Sequence, residues 1–461
     1  MKLLTRRAFG LLILTLLLIA GLLLFGVRYA LDASSWAHYP VNKHLYHNGI
    51  LKTAGKIFDR NGEILLETVD GIQKYHEDKA VRMTMMPAVG DSHGNIATSL
   101  QVAYGERLSG WDPVNGAFRF DERISGFGSD ITLTLDAGLC TAAYKAMNGR
   151  KGTVGVYNYR TGEILCMASL PTFDPENRPD VEAAPEKYEG VYINRLLSGV
   201  YTPGSVFKLV TAAAAVDNLE NIEDKIFECK GEMIIDGAKV TCPTAHGSVT
   251  LEQALAVSCN TAFAEISLDL GGNTLQKYAE KAGFRNPLKV DGIRTAAGKA
   301  EISDAKGGDL AWAGIGQYSD LANPLNLMAY VGAIANGGVR VTPELIKEDG
   351  IFSVLPGGGV QEKRILSEET AQRLGAMMRN NVKEVYGESN FKGLELCAKS
   401  GTAEVGDGKK PHAWFVGYLD REDCPLAFVV VVENGGAGSK TAGSVAAKVL
   451  KETVKKIRNE E

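Results

Sequence analysis

Between Ala8 and Val27 the chain carries no charged side chain, and Leu, Ile, Ala and Gly fill most of the positions. At about 1.5 Å of rise per residue, a helix of this run covers the ~30 Å hydrocarbon thickness of a bilayer. Lys2, Arg6 and Arg7 precede it, whereas only Arg28 follows closely. That asymmetry predicts a cytoplasmic N-terminus and puts everything after Tyr29 outside. A cleaved signal peptide would have a shorter apolar core, roughly 7–15 residues, and then an A-x-A-like site. Tyr29-Ala30-Leu31-Asp32 is not such a site. No second stretch is long and apolar enough to span. The expectation is a single-pass, uncleaved anchor (residues 1–28) in the cell membrane.

The other constraints are weaker. The 461 residues are 45% hydrophobic and 23% charged, room for two or three ordinary globular domains. A net charge of −5 and the absence of a basic run with interleaved aromatics argue against a nucleic-acid partner. Neither a collagen-like period nor a longer repeat is visible. Seven cysteines are an odd number for an exported chain. Cys229 and Cys242 flank a polar segment with an Asp236-Gly237 turn signal and are expected to close a hairpin as a disulfide. Cys140, Cys166, Cys259 and Cys397 have apolar or small neighbours and read as buried thiols. The histidines are scattered, and His76-Glu77 fails H-E-x-x-H because position 80 is Ala, so no metal site is expected.

Residues 29–128 are polar and turn-rich. Within them, Lys56 to Leu66 reads as strand, Asn61-Gly62 turn, strand, which suggests a small β-rich pedestal. Residues 129–461 read as one α/β domain. Asp130–Asp136 alternates as a strand, Leu139–Met147 as a short helix, and Gly152–Ser169 as a hairpin. Helices follow at Leu251–Leu270, Asn323–Asn336 and Ser367–Tyr386. Three late extended runs, 394–403, 412–419 and 425–433, precede a last helix over 439–457. Hairpins at both ends of the domain imply one largely antiparallel sheet joining distant chain segments, with the run AFVVVV central in it.

Chemistry concentrates at Thr202-Pro203-Gly204-Ser205-Val206-Phe207-Lys208. Thr202 is a suitable N-cap and Pro203 a suitable first residue, which puts Ser205 in the first helical turn at the positive end of the macrodipole. Lys208, three residues on, shares its face. The helix continues as LVTAAAAV, apolar nearly all round and therefore buried. Burial lowers a lysine pKa, and a neutral amine beside a hydroxyl is a general base for it. Spacing alone is weak evidence, since Ser-x-x-Lys recurs at 303–306 and 389–392 in polar surroundings.

Two further elements follow. Ser258-Cys259-Asn260 lies at a break between apolar segments, a place for a hydroxyl and a carboxamide to share a cleft with Cys259 facing away. In Lys399-Ser400-Gly401-Thr402, strand alternation groups Lys399 with Gly401 and Ser400 with Thr402. A bare Gly401 lets a ligand backbone approach. Gly435–Thr441 has the look of a phosphate loop, but Ser439 stands where Gly must precede the lysine, so a turn before the last helix is the better reading.

The three motifs, in this order, resemble those of the penicillin-binding proteins and serine β-lactamases, and their separations look like those of class B penicillin-binding proteins. VTLEQALAVSCNTAF, GIGQYSDLANPLNLMAYVGAIANGG, AKSGTAE, HAWFVGY and GEILCMASLPTFDPE look like segments of that transpeptidase domain. FDRNGEIL and YGERLSG look like its pedestal. The pedestal here is short, as in the compact membrane-anchored subgroup. The resemblance implies an antiparallel five-stranded sheet between helices, with an all-helical subdomain. It also implies a peptidoglycan D,D-transpeptidase without a cofactor. Ser205 would be the nucleophile and Lys208 its base, Ser258 a proton bridge to Lys399, and Asn260 a holder of Lys208 and the substrate amide. The N–H groups of Ser205 and Thr402 would form the oxyanion hole. Ser400, Gly401 and Thr402, with Lys399, would bind the D-Ala-D-Ala carboxylate. β-Lactams would acylate Ser205. The implied partners are stem peptides as donor and amine acceptor, and a polytopic glycan polymerase.

Rival readings on the same scaffold are a D,D-carboxypeptidase, a β-lactam sensor and a β-lactamase. Class A β-lactamases take their deacylating Glu from E-x-x-L-N, and here Leu325-Asn326 is preceded by Ala322. A sensor normally adds spans or a cytoplasmic effector, and only seven residues precede this run.

Overall fold

The computed structural model describes residues 2–37, 46–47, 50–51, 54–69, 72–109, 130–347, 361–406 and 408–460. The expected domain boundary at 128–129 lies outside the described residues. By packing, the chain forms two units, one from segments 1–57, 66–75 and 104–131, the other from 58–65, 76–103 and 132–461.

The first unit contains α1 (Lys2–Ala37). Its segment Arg7–Tyr29 has a mean hydropathy of 2.8 and is long enough to cross a membrane. Phe9, Leu11, Leu16, Leu23 and Phe25 on it are exposed, so no protein core accounts for their apolarity. Farther on, Leu66–Val69 pairs antiparallel with Ile72–Tyr75.

In the second unit the Asn61-Gly62 turn forms as expected. Asp59 Oδ1 accepts from the N–H of Asn61 (2.8 Å) and of Glu63 (2.9 Å), and Gly62 supplies φ +85°. The strand expected over 130–136 shrinks to Ile131–Thr132, because Asp136 leaves it to cap α2 (Ala137–Met147) by accepting from the Leu139 N–H at 2.9 Å. The expected hairpin is β1 (Gly152–Asn158) and β2 (Ile164–Leu170). After Ser205 come α3 (Lys208–Asn218) and four short strands: β3 (Phe227–Cys229), β4 (Glu232–Ile235), β5 (Ala238–Thr241) and β6 (Gly247–Val249). Then α4 (Leu251–Ala256), α5 (Asn260–Leu270), α6 (Pro324–Ala335) and α7 (Glu368–Asn381) lead to β7 (Leu396–Ala403), β8 (His412–Leu419), β9 (Leu426–Val432) and α8 (Gly438–Glu460).

The sheet runs β7-β8-β9-β1-β2, with every pairing antiparallel. Two strands from early in the domain and three from late in it thus close one sheet, with AFVVVV at its centre. All seven residues of β9 are buried, so helices cover both faces. α8 and α2 pack together and against the sheet, and α6 packs on β8, β9 and β1. A mixed α/β domain with an antiparallel sheet between helices is what the motifs led us to expect.

Two local departures bear on the site. Thr202 does not cap a helix: its carbonyl accepts from Trp414 Nε1 (3.0 Å), Gly204–Val206 form a 3₁₀ turn, and the α-helix starts at Lys208. Gly204 has φ +54°, and a Cβ there would lie 2.9 Å from the Thr402 carbonyl oxygen, so only glycine lets this turn lie against β7. The helix expected over 251–270 is two helices. α4 ends in a Schellman motif, with Cys259 N–H bonded to Ala254 O (2.8 Å) and Ser258 N–H to Leu255 O (3.3 Å). Ser258 takes the left-handed position, φ +57°, that usually falls to glycine.

Candidate active site

The 3₁₀ turn, the break between α4 and α5, and the edge strand β7 converge on a cleft of about 430 Å³, lined by Ser205, Ser258, Asn260, Ser400 and Thr402. Cys242, Trp312, Gln317 and Glu404 are among its other lining residues, and neither Lys208 nor Lys399 reaches its surface.

Lys208 is fully buried. Its Nζ donates to the Ser258 carbonyl (2.7 Å), to Asn260 Oδ1 (2.6 Å) and toward Ser258 Oγ (3.2 Å). Burial pushes its pKa down to about 7, against a smaller opposing influence of Cys259 and Cys242. Lys399, equally buried, reaches the same Ser258 Oγ at 3.1 Å and the Ser400 carbonyl at 2.9 Å. Its pKa is held well below the ordinary lysine value by burial and then by Lys208. A hydroxyl has one proton, so between two amines it donates to one and accepts from the other. That arrangement needs one of the two amines neutral, and burial of both supplies the condition. Lys208 and Lys399 therefore share the Ser258 hydroxyl, which lies at the cleft wall. Ser205, which lines the same cleft, makes no side-chain hydrogen bond among the described residues.

The left-handed turn at Ser258 lets its carbonyl and its hydroxyl both face Lys208 while Cys259 turns away and is buried. Asn260 then opens α5 with its carboxamide split between Lys208 and the Thr241 carbonyl, to which Nδ2 donates at 2.7 Å.

On β7 the alternation holds: Lys399 and Gly401 are buried, Ser400 is half-buried and Thr402 exposed. A Cβ on Gly401 would meet the Pro203 carbonyl oxygen at 2.9 Å, so the bare backbone first serves the approach of the 3₁₀ turn. The sequence reading missed Tyr386. Its hydroxyl accepts from the Ser400 N–H (2.9 Å) and donates to Ser400 Oγ (3.0 Å). This fixes the direction in which Ser400 presents its backbone, away from β8. With a two-residue period, the Thr402 N–H faces the same free edge, toward the cleft. Thr402 Oγ1 accepts from the Gly438 N–H at 3.2 Å, so the phosphate-loop look-alike is a turn packed on β7. Tyr386 closes the helix expected over 367–386, and a tyrosine at a helix end carries no signal of such a clamp.

The expected disulfide is corrected. Cys229 and Cys242 are not joined. Cys229 Sγ lies 3.4 Å from His246 Nδ1, and Cys242 Sγ lies 3.9 Å from Cys259 Sγ. The β4–β5 hairpin does form on its Asp236-Gly237 turn, but it delivers Cys242 to a four-residue cluster and not to a single partner.

Two buried lysines that share one hydroxyl beside a cleft lined by a second serine, on an antiparallel sheet between helices, define a serine acyl-transfer enzyme. Residues 152–455 match the penicillin binding protein transpeptidase domain, and the chain belongs to that family. It is 28% identical over 449 residues to the peptidoglycan D,D-transpeptidase PbpA of Mycolicibacterium smegmatis, covering 90% of this chain and 91% of that one. Stage V sporulation protein D of Bacillus subtilis is 30% identical over 345 residues, 70% of this chain and 52% of that one. Among solved structures, penicillin-binding protein A of M. tuberculosis superposes with a TM-score of 0.74 at 24% identity, over 87% of this chain and 98% of that one.

Proposed function

We propose that the chain is a peptidoglycan D,D-transpeptidase. The observation that carries this reading is the relay in which Lys208 and Lys399 share the Ser258 hydroxyl behind a cleft that Ser205 lines. Ser205 Oγ attacks the penultimate D-Ala carbonyl of a stem peptide, and its proton passes to Lys208. The C–N bond to the terminal D-Ala breaks, and the leaving amine takes a proton through Ser258. An amine from a second stem then attacks the acyl-enzyme, forms the cross-link and regenerates Ser205. The Ser205 and Thr402 N–H groups receive the developing oxyanion, each such donor being worth about 3 kcal/mol of barrier. Ser400 and Thr402 hydroxyls bind the donor carboxylate, Lys399 contributes from behind them, and Asn260 orients Lys208 and the substrate amide.

In this reading α1 is the single membrane span with its N-terminus in the cytoplasm. The rest of the first unit serves as the pedestal, and a polytopic glycan polymerase is the partner of anchor and pedestal. Fluorescent penicillin is expected to label the chain covalently, and Ser205→Ala to abolish labelling. Label persisting on that variant would remove Ser205 as nucleophile. Incubation with a labelled stem-peptide donor and an added amine is expected to yield the amide. Hydrolysis product alone would favour a carboxypeptidase.

A further inference from the structure

One row of side chains on β7 extends past the residues that the proposed reaction uses. Ser400 and Thr402 line the cleft, and Glu404, two residues farther along the chain, lines it too. Among the described residues no Asp, Lys, Arg, His or second Glu does so. We propose that Glu404 selects the donor, binding the side-chain ammonium of the residue that precedes D-Ala-D-Ala, so that stem peptides with a free amine are preferred. This assignment rests on the transpeptidase reading and adds which donors are taken.

The direction of the donor follows from the edge of the sheet. β7 pairs with β8 from Leu396 to Ala403 and has no strand on its other side among the described residues. The Tyr386 hydroxyl takes the Ser400 N–H on that free edge (2.9 Å), so the next outward N–H is that of Thr402. The donor's terminal carboxylate lies at the Ser400 and Thr402 hydroxyls and its scissile carbonyl at the Thr402 N–H. The donor therefore runs antiparallel to β7, with its N-terminal part toward Glu404. Extended peptides add to a sheet edge in this manner.

The distances suit the contact. Glu404 directly follows the last paired residue, Ala403, and its Cα is at most about 7 Å from that of Thr402. The donor residue before the penultimate D-Ala is displaced the same way by about 3.8 Å. An amine on a flexible four-carbon arm there spans the remainder. The acceptor amine instead arrives at the acyl carbonyl on Ser205, away from the donor's own N-terminal part.

Charge separates one kind of donor from another. Glu404 is exposed to the cleft and makes no hydrogen bond or ion pair among the described residues. A concave site with charge of one sign attracts the opposite charge more strongly than an open surface does. The acceptor amine belongs to a stem of the same kind as the donor, so a donor that has not been cross-linked carries that amine as an ammonium. Once it has served as acceptor it is an amide, uncharged, and the contact with Glu404 is lost. Glu404 thus directs the enzyme to stems that have not yet been joined.

Release of D-Ala by full-length protein in detergent, at a fixed excess of glycine as acceptor, tests this on two donors. One is Nα-acetyl-L-Lys-D-Ala-D-Ala, and the other is the same peptide acetylated on Nε as well. The parent is expected to show a kcat/KM about fivefold higher for the free-amine donor. Glu404→Gln is expected to bring the two donors within about twofold, Glu404→Lys to reverse the preference, and Glu404→Asp to retain part of it. Each variant is compared on two donors, so a general loss of activity cancels in the ratio. A parent without preference, or a preference that Glu404→Gln retains, would overturn the proposal. So would a Glu404→Gln variant that turns over neither donor, which would put Glu404 in the chemistry or the fold. A change confined to the KM for the acceptor would assign Glu404 to the second substrate and overturn it as well. A parent that penicillin labels but that releases D-Ala from neither peptide would overturn the transpeptidase reading, and this assignment with it.

Discussion

Lys208 sits where water does not solvate an ammonium, and this decides the pH behaviour of the site. Its pKa is pushed down from an ordinary 10.5 to about 7 by burial. Below about pH 7 the amine is protonated and accepts nothing from Ser205. Above it the amine is neutral and competent. The second-order rate of penicillin acylation is therefore expected to rise with pH, about tenfold per unit on the acid side, and to flatten above neutrality. The midpoint belongs to the Lys208–Lys399 pair, because the two share one hydroxyl and disfavour each other's charge. Lys208→Arg keeps the positive charge at all working pH values and is expected to cost roughly 10²–10⁴ in that rate. Stopped-flow acylation across pH 5.5–8.5 checks both. A flat profile for the parent chain would mean that no buried amine serves as the base.

The break between α4 and α5 shows how an element boundary makes chemistry. Ser258 occupies the left-handed position of a Schellman motif, which costs a non-glycine residue about 1–2 kcal/mol. Ser258→Gly relieves that cost while deleting the hydroxyl between the lysines. We expect a melting temperature equal to or above that of the parent, with acylation slowed by about 10²–10⁴. A variant that melts lower yet labels at the parental rate would place Ser258 in the fold and outside the relay. This element also marks how far the sequence could be read. The five strands, their antiparallel pairing and the central AFVVVV followed from alternation and turn residues. Ser205, Lys208, Ser258, Asn260 and Lys399 could be singled out because residue type and context agreed. The helix break within 251–270 was less legible, because a Schellman motif closed by serine lacks its usual glycine signal. Thr202 looked like a cap, yet Trp414, far away in sequence, takes its carbonyl. The cysteine cluster was hidden for the same reason: Cys259 and His246 join Cys229 and Cys242 only once β3, β6 and α5 have packed. Tyr386 likewise meets Ser400 only through tertiary contact.

For the molecule as a whole, the exposed apolar surface of α1 is the feature that water opposes most. Ala8–Val27 holds fourteen Leu, Ile, Phe and Val residues, and at about −0.3 to −0.6 kcal/mol each near a bilayer centre they favour insertion by up to roughly 4–8 kcal/mol. If α1 spans a membrane, the three basic residues ahead of it would select its direction, since cytoplasmic flanks retain Lys and Arg. The second unit, Ser205 included, would thus face the side on which stem peptides are joined. Full-length protein is expected to stay with alkali-washed membranes, and a version lacking residues 1–28 to appear in the supernatant while still labelling with penicillin. Protease added to intact spheroplasts is expected to digest the second unit and to spare an epitope tag fused ahead of Met1. Protection of the second unit in sealed cells would reverse the topology, and it would separate the enzyme from the substrate that the cleft is proposed to bind.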